Sequence, residues 1–356
     1  MKKFADLISM VPVLFIFLCL SCNDRHRNTI EFNSKILTNV NTEEIDAKVI
    51  ETDYIFGDPE QLIMLNDTLL MTFDKSLTGK LFHLISTNGN YIGSFGELGQ
   101  GPNEFLSPQN IGIDLSGKIS IYDFMKVKSM ELDINTFPEI FDSAIWHDYK
   151  DIIPDGAYLF RAVYPLGYDR YIGAGLNDKC RLMLFNNQDS VYNYTSYPIM
   201  TEDEEANWSL WSNGARYAIS PDRKHFIVAT SIGMAFEVFN IDNDNIKSKS
   251  VIGVYEPKYD IADGAVPKCV YSTDECFIGF YDICALNDSF YGIVEGSAPG
   301  YNDNNIIYVF DYDGNLRRKL KTPYRINRLT SDGKSIFAIG YTDGNDEEYM
   351  LLKLDI

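Results

Sequence analysis

The sequence predicts an all-β protein, a six-bladed β-propeller whose ring is closed by an N-terminal strand that joins the last blade. Three observations carry this prediction: an aromatic content that favours strands, a hairpin that recurs six times, and a strand-like segment near the N-terminus that belongs to no blade. Aromatic residues make up 13% of the chain, with 23 Tyr and 22 Phe, and aromatic side chains are enriched in β-strands. The composition therefore favours sheet over helix.

The recurring hairpin consists of a short apolar strand, a tight polar turn and a second strand that begins with alternating apolar residues. Clear copies run from Leu62 to Met71 and from Ile111 to Tyr122, with Asn66-Asp67 and Ser116-Gly117 at their turns. Such turn residues tolerate the positive φ of hairpin turns. The six turns fall near positions 67, 117, 169, 223, 288 and 333, which is a spacing of 45 to 65 residues. A repeat of that length has room for four strands and predicts six blades.

A second hairpin inside the repeat predicts the third and fourth strands of blade one, over 81–93, and of blade five, over 306–316. The last blade is one strand short, because only Tyr349–Leu354 follows the strand at 336–340. The segment Ala47–Ile55 alternates like a strand, and pairing it with the last blade closes the ring and removes two exposed edges.

The N-terminus has the pattern of an export signal. Lys2 and Lys3 precede an apolar run of 14 residues, from Leu7 to Leu20. A membrane-spanning helix needs about 20 such residues, whereas the core of a signal peptide needs about 7–15. We therefore predict a signal peptide over residues 1–21.

The residues that end this run, Leu18-Cys19-Leu20-Ser21-Cys22, resemble the lipobox of bacterial lipoproteins, except that Cys19 stands where that motif prefers Leu. The resemblance implies that Cys22 is acylated and becomes the mature N-terminus; the alternative is a plain secretory signal cleaved nearby. Acyl chains would then join the protein to a membrane. The expected location is the bacterial cell envelope, as an outer-membrane lipoprotein that faces the periplasm or the surface.

This interpretation divides the chain into three parts. Residues 1–21 are the signal peptide, residues 22–46 are a lipid-anchored tether, and residues 47–356 form the propeller. The tether is shorter if Ile36-Leu37 belongs to an extra strand.

A family likeness lies between Gly89 and Asp133. The residues that carry it are Phe95-Gly96, Gly99, Gly101-Pro102, Glu104-Phe105, Pro108, Asp114, Gly117 and Tyr122-Asp123. This stretch resembles the NHL-type repeat, and in particular the TolB-like six-bladed propeller lipoproteins. The resemblance implies a fold and export rather than an activity, because propellers host lyases, lactonases, sugar binders and scaffolds alike. It also implies that Asp123 is structural and binds nearby backbone.

Several classes of function are disfavoured. The formal net charge of −20 repels nucleic acid, so no nucleic-acid partner is expected. The sequence contains no G-x-S-x-G, no P-loop and no dinucleotide fingerprint after a strand–helix unit. Gly96, Gly99 and Gly101 lie between predicted strands, which favours turns over a phosphate site. With four His in the chain, a zinc enzyme lacks ligands.

The cysteines after Cys22 leave two possibilities open. Cys180, Cys269, Cys276 and Cys284 form no C-x-x-C pair, which disfavours a zinc ribbon or a thioredoxin-type site. Export permits a disulfide, of which Cys269–Cys276 is the best candidate, and buried free thiols are the alternative.

Aromatic residues mark a candidate ligand site on one face of the propeller. Ligands of propellers usually bind at the channel mouth, on the face that carries the blade-to-blade connections. Trp146 and His147 fall in the predicted connection between blades two and three, and Trp208 and Trp211 fall between blades three and four. Tyr301 falls in a loop of blade five on the same face. Exposed aromatics there would stack on sugars or form an interface hot spot; alternatively, they anchor long connections.

Acidic clusters at 202–205, 242–245 and 343–348 suggest calcium, which binds 6–8 oxygen ligands, although none fits an EF-hand and solvated loops are the alternative. No other cofactor is expected. We expect a non-enzymatic binding module for a glycan, a peptide or an envelope protein. The alternative is a calcium-dependent hydrolase or lyase with its site at the mouth of the central channel. A third possibility is a scaffold in an envelope complex.

Overall fold

Six antiparallel sheets are arranged as blades around a central channel, which confirms the predicted six-bladed propeller. Within the ranges described, no helix combines the length and the apolar character needed to cross a membrane. The computed structural model describes residues 29–75, 79–101, 103–133, 160–175, 181–186, 191–194, 196–212, 214–243, 245–262, 269–297, 304–332, 335–342 and 348–355.

An N-terminal segment precedes the first blade. It contains a 3₁₀ helix, Ser34–Thr38, and the strands β1 (Thr42–Glu44) and β2 (Ala47–Ile50).

The first three blades follow in chain order, each starting with its innermost strand. Blade one contains β3 (Pro59–Asn66), β4 (Leu69–Asp74), β5 (Lys80–Ser86) and β6 (Tyr91–Glu97). Blade two contains β7 (Pro108–Ile113), β8 (Lys118–Asp123) and β9 (Lys128–Asp133). Blade three contains β10 (Ala162–Gly167), β11 (Arg170–Ala174), β12 (Leu182–Asn186) and β13 (Val191–Tyr194).

The helix α1 (Glu204–Ser212) connects blade three to blade four. Blade four contains β14 (Ala215–Ile219), β15 (His225–Thr230), β16 (Met234–Asp242) and β17 (Asn245–Tyr255). A hairpin of β18 (Tyr259–Ala262) and β19 (Cys269–Ser272) leads to blade five. Blade five contains β20 (Phe277–Ala285), β21 (Ser289–Ser297), β22 (Ile306–Asp311) and β23 (Leu316–Lys321). Blade six contains β24 (Arg325–Ser331), β25 (Ile336–Tyr341) and β26 (Tyr349–Leu354).

The turns predicted from the repeat join the first and second strands of the blades. At one of them Tyr168 and Asp169 both have φ of +55°, the left-handed backbone that a two-residue hairpin turn needs. At another, the Asp114 carboxylate accepts hydrogen bonds from the backbone N–H of Ser116 and Lys118 at 2.8 and 2.9 Å. Local side-chain chemistry therefore closes these hairpins.

The core lies between neighbouring blades, where aromatic rings of two sheets interlock. Between blades four and five, Phe236 meets Phe290 edge-on at 5.0 Å and Phe290 stacks on Phe310 at 5.3 Å. The second strands are buried on both faces, as in β4 and β25. Their sequences are accordingly continuous apolar runs rather than alternating ones.

The ring closes as predicted. Strand β2 pairs antiparallel with β26, with Ala47 opposite Leu354 and Ile50 opposite Leu351. The strand ends at Ile50 rather than Ile55, because Tyr54 turns inward to donate a hydrogen bond from its hydroxyl to Asp74 at 3.0 Å.

Residues 29–46, which fall within the predicted tether, lie against the blades instead of forming a free coil. Ile30 N–H donates to the Ile199 carbonyl at 2.9 Å, and Asn33 N–H donates to the Gly253 carbonyl at 3.0 Å. Strand β1 pairs in parallel with β23 and adds a fifth strand to blade five. This added strand is Thr42–Glu44, whereas Leu37 is buried within the 3₁₀ helix. Residues 29–46 therefore do not belong to the predicted tether; the rest of that prediction, before Thr29, lies outside the described residues.

The resemblance correctly implied a structural role for Asp123. Its carboxylate accepts backbone N–H bonds from Leu106 at 2.7 Å and from Ser107, Met125 and Lys126 at 3.1 Å each. These bonds fasten the start of blade two to the end of its second strand.

Gly99 and Gly101 lie in bends after β6, as predicted, whereas Gly96 lies inside β6, so the turn predicted there is wrong. Gly96 has φ of +74°, and a Cβ there would lie 2.7 Å from the ring of Phe82. The Glu104 carboxylate accepts the N–H of Gly101 at 2.8 Å. The Glu104 carboxylate therefore occupies the position at these glycines that a bound phosphate would take.

Candidate functional site in the central channel

A cavity of about 190 Å³ opens at the end of the channel where the blade-to-blade connections arrive. Its walls are the first residues of the innermost strands β3, β7, β10 and β14, together with the middle of β20 and β24. Every blade contributes at least one polar side chain. We call this cavity the mouth; the polar side chains used below are Gln61, Asn110, Arg161, Tyr164, Arg216, Asp282 and Arg328.

Most of these polar side chains hold each blade to the next. Gln61 of blade one donates from Nε2 to the Ile111 carbonyl at 3.0 Å and accepts the Ile111 N–H at 2.8 Å. Asn110 of blade two repeats the arrangement on Val163, at 2.8 and 2.9 Å. One amide side chain therefore satisfies both backbone groups of a residue in the following blade.

Different side chains make the same kind of bond at the next two interfaces. The Tyr164 hydroxyl of blade three donates to the Tyr217 carbonyl at 3.1 Å. The Arg216 Nε–H of blade four donates to the Tyr281 carbonyl of blade five at 2.6 Å.

The last two bonds complete the circle. The Asp282 carboxylate of blade five accepts the N–H of Leu329 at 2.8 Å. The Arg328 Nε–H of blade six donates to the Glu60 carbonyl of blade one at 2.5 Å. Six side-chain-to-backbone contacts, each directed from one blade to the next, thus encircle the mouth. We call them the clamp ring.

Two guanidinium groups keep donors available to a ligand. Arg161 is exposed, and within the described part of the chain its side chain makes no hydrogen bond. Arg216 uses only Nε in the clamp ring. Arg328 is more committed, since it also donates to the Asn327 carbonyl and lies 3.7 Å from Glu60 Oε2.

The mouth perturbs the ionisation of the groups in its wall. Enclosure by protein atoms raises the pKa of Asp282, while Arg328, the Leu329 N–H and Arg216 act in the opposite direction. Burial also lowers the pKa of Arg216, partly offset by the negative charge of Asp282. Glu295 is not part of this wall, but burial likewise raises its pKa, and Arg216 opposes the shift.

A second cavity of about 220 Å³ continues the channel toward the hairpin-turn face. We call it the chamber. Most of its wall residues are apolar, among them the partly exposed Ile63, Ile113 and Ile219, and the polar part of the wall includes Thr330, Ser331 and Arg223. Arg223 lies at its far end, where it donates to the Ile113 carbonyl.

A family model for TolB-like six-bladed propellers matches residues 39–334 of the chain. The chain belongs to the TolB-like six-bladed propeller family. No curated protein sequence matches it. Among solved structures, a presumed exported protein from Bacteroides fragilis is similar, with a TM-score of 0.54 at 9% identity, over 92% of this chain and 98% of that chain. A luciferin-regenerating enzyme has a TM-score of 0.48 at 10% identity, over 87% of this chain and 95% of that chain.

In this TolB-like propeller Trp211 is a buried anchor, so its predicted exposure at the rim is wrong. The ring is 1% exposed, and Nε1–H donates to the Pro198 carbonyl at 3.0 Å. The Arg181 guanidinium lies 4.6 Å from the ring centre and pairs with Glu237 of blade four. Trp211 takes this position because the apolar side chains of α1 pack into the core. Trp208, one turn earlier, is half-buried and packs against the same core.

Four predicted site residues, Cys22, Trp146, His147 and Tyr301, lie outside the described residues.

The cluster at 202–205 begins α1, where Asp203 accepts the Ala206 N–H at 2.9 Å; carboxylates at a helix N-terminus complement its dipole. Within the described ranges no group of three acidic, His or Cys side chains could hold a metal ion. Cys269, Cys276 and Cys284 are free thiols, so the pair Cys269–Cys276 is not bridged.

The polar residues of the mouth were not among the site residues predicted from the sequence. A usable signal was present: a charged or amide residue near the start of the first strand of several blades, as in Asn110 and Arg216. Each stands in an inner strand that also contains apolar residues, and a buried polar group needs a partner. Because the partner lies in the next blade, the sequence pattern alone did not identify it.

Proposed function

We propose that this protein is an exported, lipid-anchored binding module that holds an anionic group of its ligand at the channel mouth. One observation carries the proposal: guanidinium groups from three blades, those of Arg161, Arg216 and Arg328, converge on one cavity of a chain whose net charge is −20. A cationic mouth in an acidic protein attracts and orients an anion.

The chemistry of these groups favours a carboxylate or a similar planar anion. Arginine presents N–H donors in a fixed fork that matches two oxygen atoms at once. Arg161 and Arg216 retain such donors; burial is the main cause of the lowered pKa of Arg216, and the positive charges of Arg328 and Arg161 add to it. An anion between them would relieve that repulsion. Acidic glycans and peptides carry this group, which keeps both within the proposed ligand class.

The test is isothermal titration calorimetry with glucuronate and acetate, with glucose as the neutral probe. Arg161→Gln removes a charge without breaking the clamp ring. Lys247→Gln, on the exposed outer strand of blade four, makes the same charge change far from the mouth. We expect anion binding to weaken about tenfold or more in Arg161→Gln and to be unchanged in Lys247→Gln. Equal weakening in both variants would refute the proposed site.

The proposed lipid anchor has its own test. Cys22 stands where the lipobox places the acylated residue. Cells fed labelled palmitate should label the wild-type protein, and Cys22→Ala should abolish the label. Full labelling of the variant would contradict the proposed anchor.

A second candidate function is a hydrolase or lyase at the same mouth, with calcium as the cofactor to be tested. The favouring observation is the raised pKa of Asp282 inside the channel, because catalytic acids are tuned in this way. Hydrolysis of a panel of esters and lactones, with calcium and with EDTA, tests it. Turnover that disappears in Asp282→Asn, a variant that retains an acceptor for the Leu329 N–H, would favour the enzyme.

A further inference from the structure

The mouth and the chamber adjoin along the channel. They share six wall residues, contributed by blades one, three, four, five and six: Gln61, Leu62, Tyr164, Tyr217, Ile283 and Leu329. Together the two cavities enclose about 410 Å³. Small-molecule sites usually measure roughly 300–1,000 Å³ and combine mostly apolar walls with a few placed polar groups. Neither cavity reaches that size alone, whereas the pair does.

The two cavities differ in chemistry. The mouth is lined by the side chains of the clamp ring and by Arg161, whereas the chamber exposes Ile63, Ile113 and Ile219. Exposure of isoleucine side chains to water is unfavourable, so an apolar group of a ligand that covers them would be stabilised there. A ligand that spans both cavities must therefore be polar at one end and apolar at the other.

Arg223 crosses the far end of the chamber. It starts from the hairpin turn of blade four and donates to the Ser220 carbonyl at 3.0 Å and to the Ile113 carbonyl of blade two. Burial lowers its pKa to about 10, so the side chain stays charged at neutral pH. Both terminal nitrogens of Arg223 donate to backbone carbonyls, so the side chain is held in place where it closes the far end of the chamber.

The charges at the mouth favour an anion. Arg161, Arg216 and Arg328 contribute three formal positive charges, and the described wall contains two carboxylates, Glu60 and Asp282. Glu60 is also paired with Lys75, which lies outside the wall, so the guanidinium groups outnumber the carboxylates that offset them. The carboxylate of a ligand therefore meets net positive charge at the mouth.

We propose that the channel binds an amphiphilic carboxylate, with its carboxylate between Arg161 and Arg216 and its apolar chain in the chamber. This inference rests on the proposed anion-binding function and specifies its ligand class. Each methylene group buried in the chamber should strengthen binding by about fourfold. The carboxylate is assigned to the mouth end because Arg161 and Arg216 both offer donors there, whereas Arg223 at the far end of the chamber retains only Nε.

The experiment is calorimetric titration of the full chain with acetate, octanoate and 1-octanol. Octanoate should bind at least about a hundredfold more tightly than acetate and about tenfold more tightly than 1-octanol. Arg161→Gln should weaken octanoate about tenfold without changing 1-octanol, and Lys247→Gln should change neither.

The chamber is tested by the double variant Ile113→Thr with Ile219→Thr, which puts hydroxyl groups into its wall. It should weaken octanoate severalfold and leave acetate unchanged. If this variant does not fold, the series butanoate, hexanoate and octanoate on the wild-type protein replaces it, and affinity should rise with chain length.

Each outcome separates this inference from the proposed function. If acetate binds as tightly as octanoate, the amphiphile is refuted while the anion site stands. If 1-octanol binds as tightly as octanoate and Arg161→Gln has no effect, both the carboxylate at the mouth and the proposed function fall. Absence of binding by all three probes refutes both.

Discussion

Asn110 provides the sharpest test of the clamp ring, because its whole amide is used by one residue of the next blade. Its Nδ2 donates to the Val163 carbonyl at 2.8 Å, and its Oδ1 accepts the Val163 N–H at 2.9 Å. Asn110 is 6% exposed and Val163 is fully buried. Replacing Asn110 by Ala would strand two backbone groups at once.

The expected loss follows from that geometry. A buried polar group left without a partner costs about 1–3 kcal/mol. Two such groups would cost up to about twice that, and water entering from the mouth keeps the value in the lower part of the range. We therefore expect Asn110→Ala to lower the free energy of unfolding by about 2–4 kcal/mol.

The assay is urea unfolding followed by tryptophan fluorescence. Asn39→Ala is the matched control, because Asn39 is exposed at the end of the 3₁₀ helix with φ of −80°; it should stay within about 0.5 kcal/mol of wild type. If Asn110→Ala also stays within that margin, the clamp contributes no net stability and our reasoning is refuted.

Asn110→Asp tests the hydrogen bonds of Asn110 separately from the loss of side-chain volume. Its carboxylate would face the Val163 carbonyl, so the folded state raises the pKa of the new carboxyl group above its unfolded value. A raised pKa favours the protonated form in the folded state. The variant should therefore gain stability relative to wild type as the pH falls, and lose it as the pH rises through the folded-state pKa. A pH-independent difference would contradict the contact.

Three further predictions concern groups away from the mouth. Asp123→Ala removes the acceptor of four backbone N–H bonds and should cost about 3 kcal/mol or more in urea unfolding; Asp123→Asn should cost less, and equal losses would argue against capping. Arg181→Ala leaves the buried Glu237 carboxylate unpaired and should cost about 3–5 kcal/mol; combining Arg181→Met with Glu237→Leu should recover most of it, and failure to do so would show that ring packing dominates. Burial lowers the pKa of His83, so stability should fall as the pH drops below about 6.5 toward the folded-state value; His83→Phe should flatten this part of the pH profile, and an unchanged slope would contradict the assignment.

The blades could be predicted because each hairpin is stabilised by interactions between residues that are close in the sequence. Asp114 closes its own turn through the N–H groups of Ser116 and Lys118, and Tyr168-Asp169 adopt positive φ at adjacent positions. These interactions span two to four residues, so they appear directly in the sequence. Repetition of the unit then determines the number of blades.

The N-terminal segment contains one strand that its sequence pattern predicts and one that it does not. The segment Ala47–Ile55 alternates in hydrophobicity and is predicted as the closing strand; its first four residues, Ala47–Ile50, confirm this by pairing with β26. Strand β1, Thr42–Glu44, has no apolar residue and is exposed throughout. It forms because β23 offers an open edge of backbone donors and acceptors, and backbone pairing leaves no mark in the side-chain pattern.

The aromatic rim was a weaker prediction for a related reason. A tryptophan in a long connection is compatible with exposure and with burial, and sequence does not distinguish them. Arg181 and the Pro198 carbonyl decide the matter for Trp211, since they supply a cation and a hydrogen-bond acceptor inside the core.

The sequence by itself determined the strand-and-turn repeat, the six blades and the closing strand, because each depends on neighbours in the chain or on a periodic pattern; the structural role of Asp123 was implied by the family resemblance. Only the tertiary structure decided that the polar residues of the inner strands form a clamp ring, and that Arg161 and Arg216 face one cavity beside an apolar chamber. The contacts of the clamp ring join residues that are 47 or more positions apart in the chain. They exist only after ring closure brings the six inner strands around a common axis.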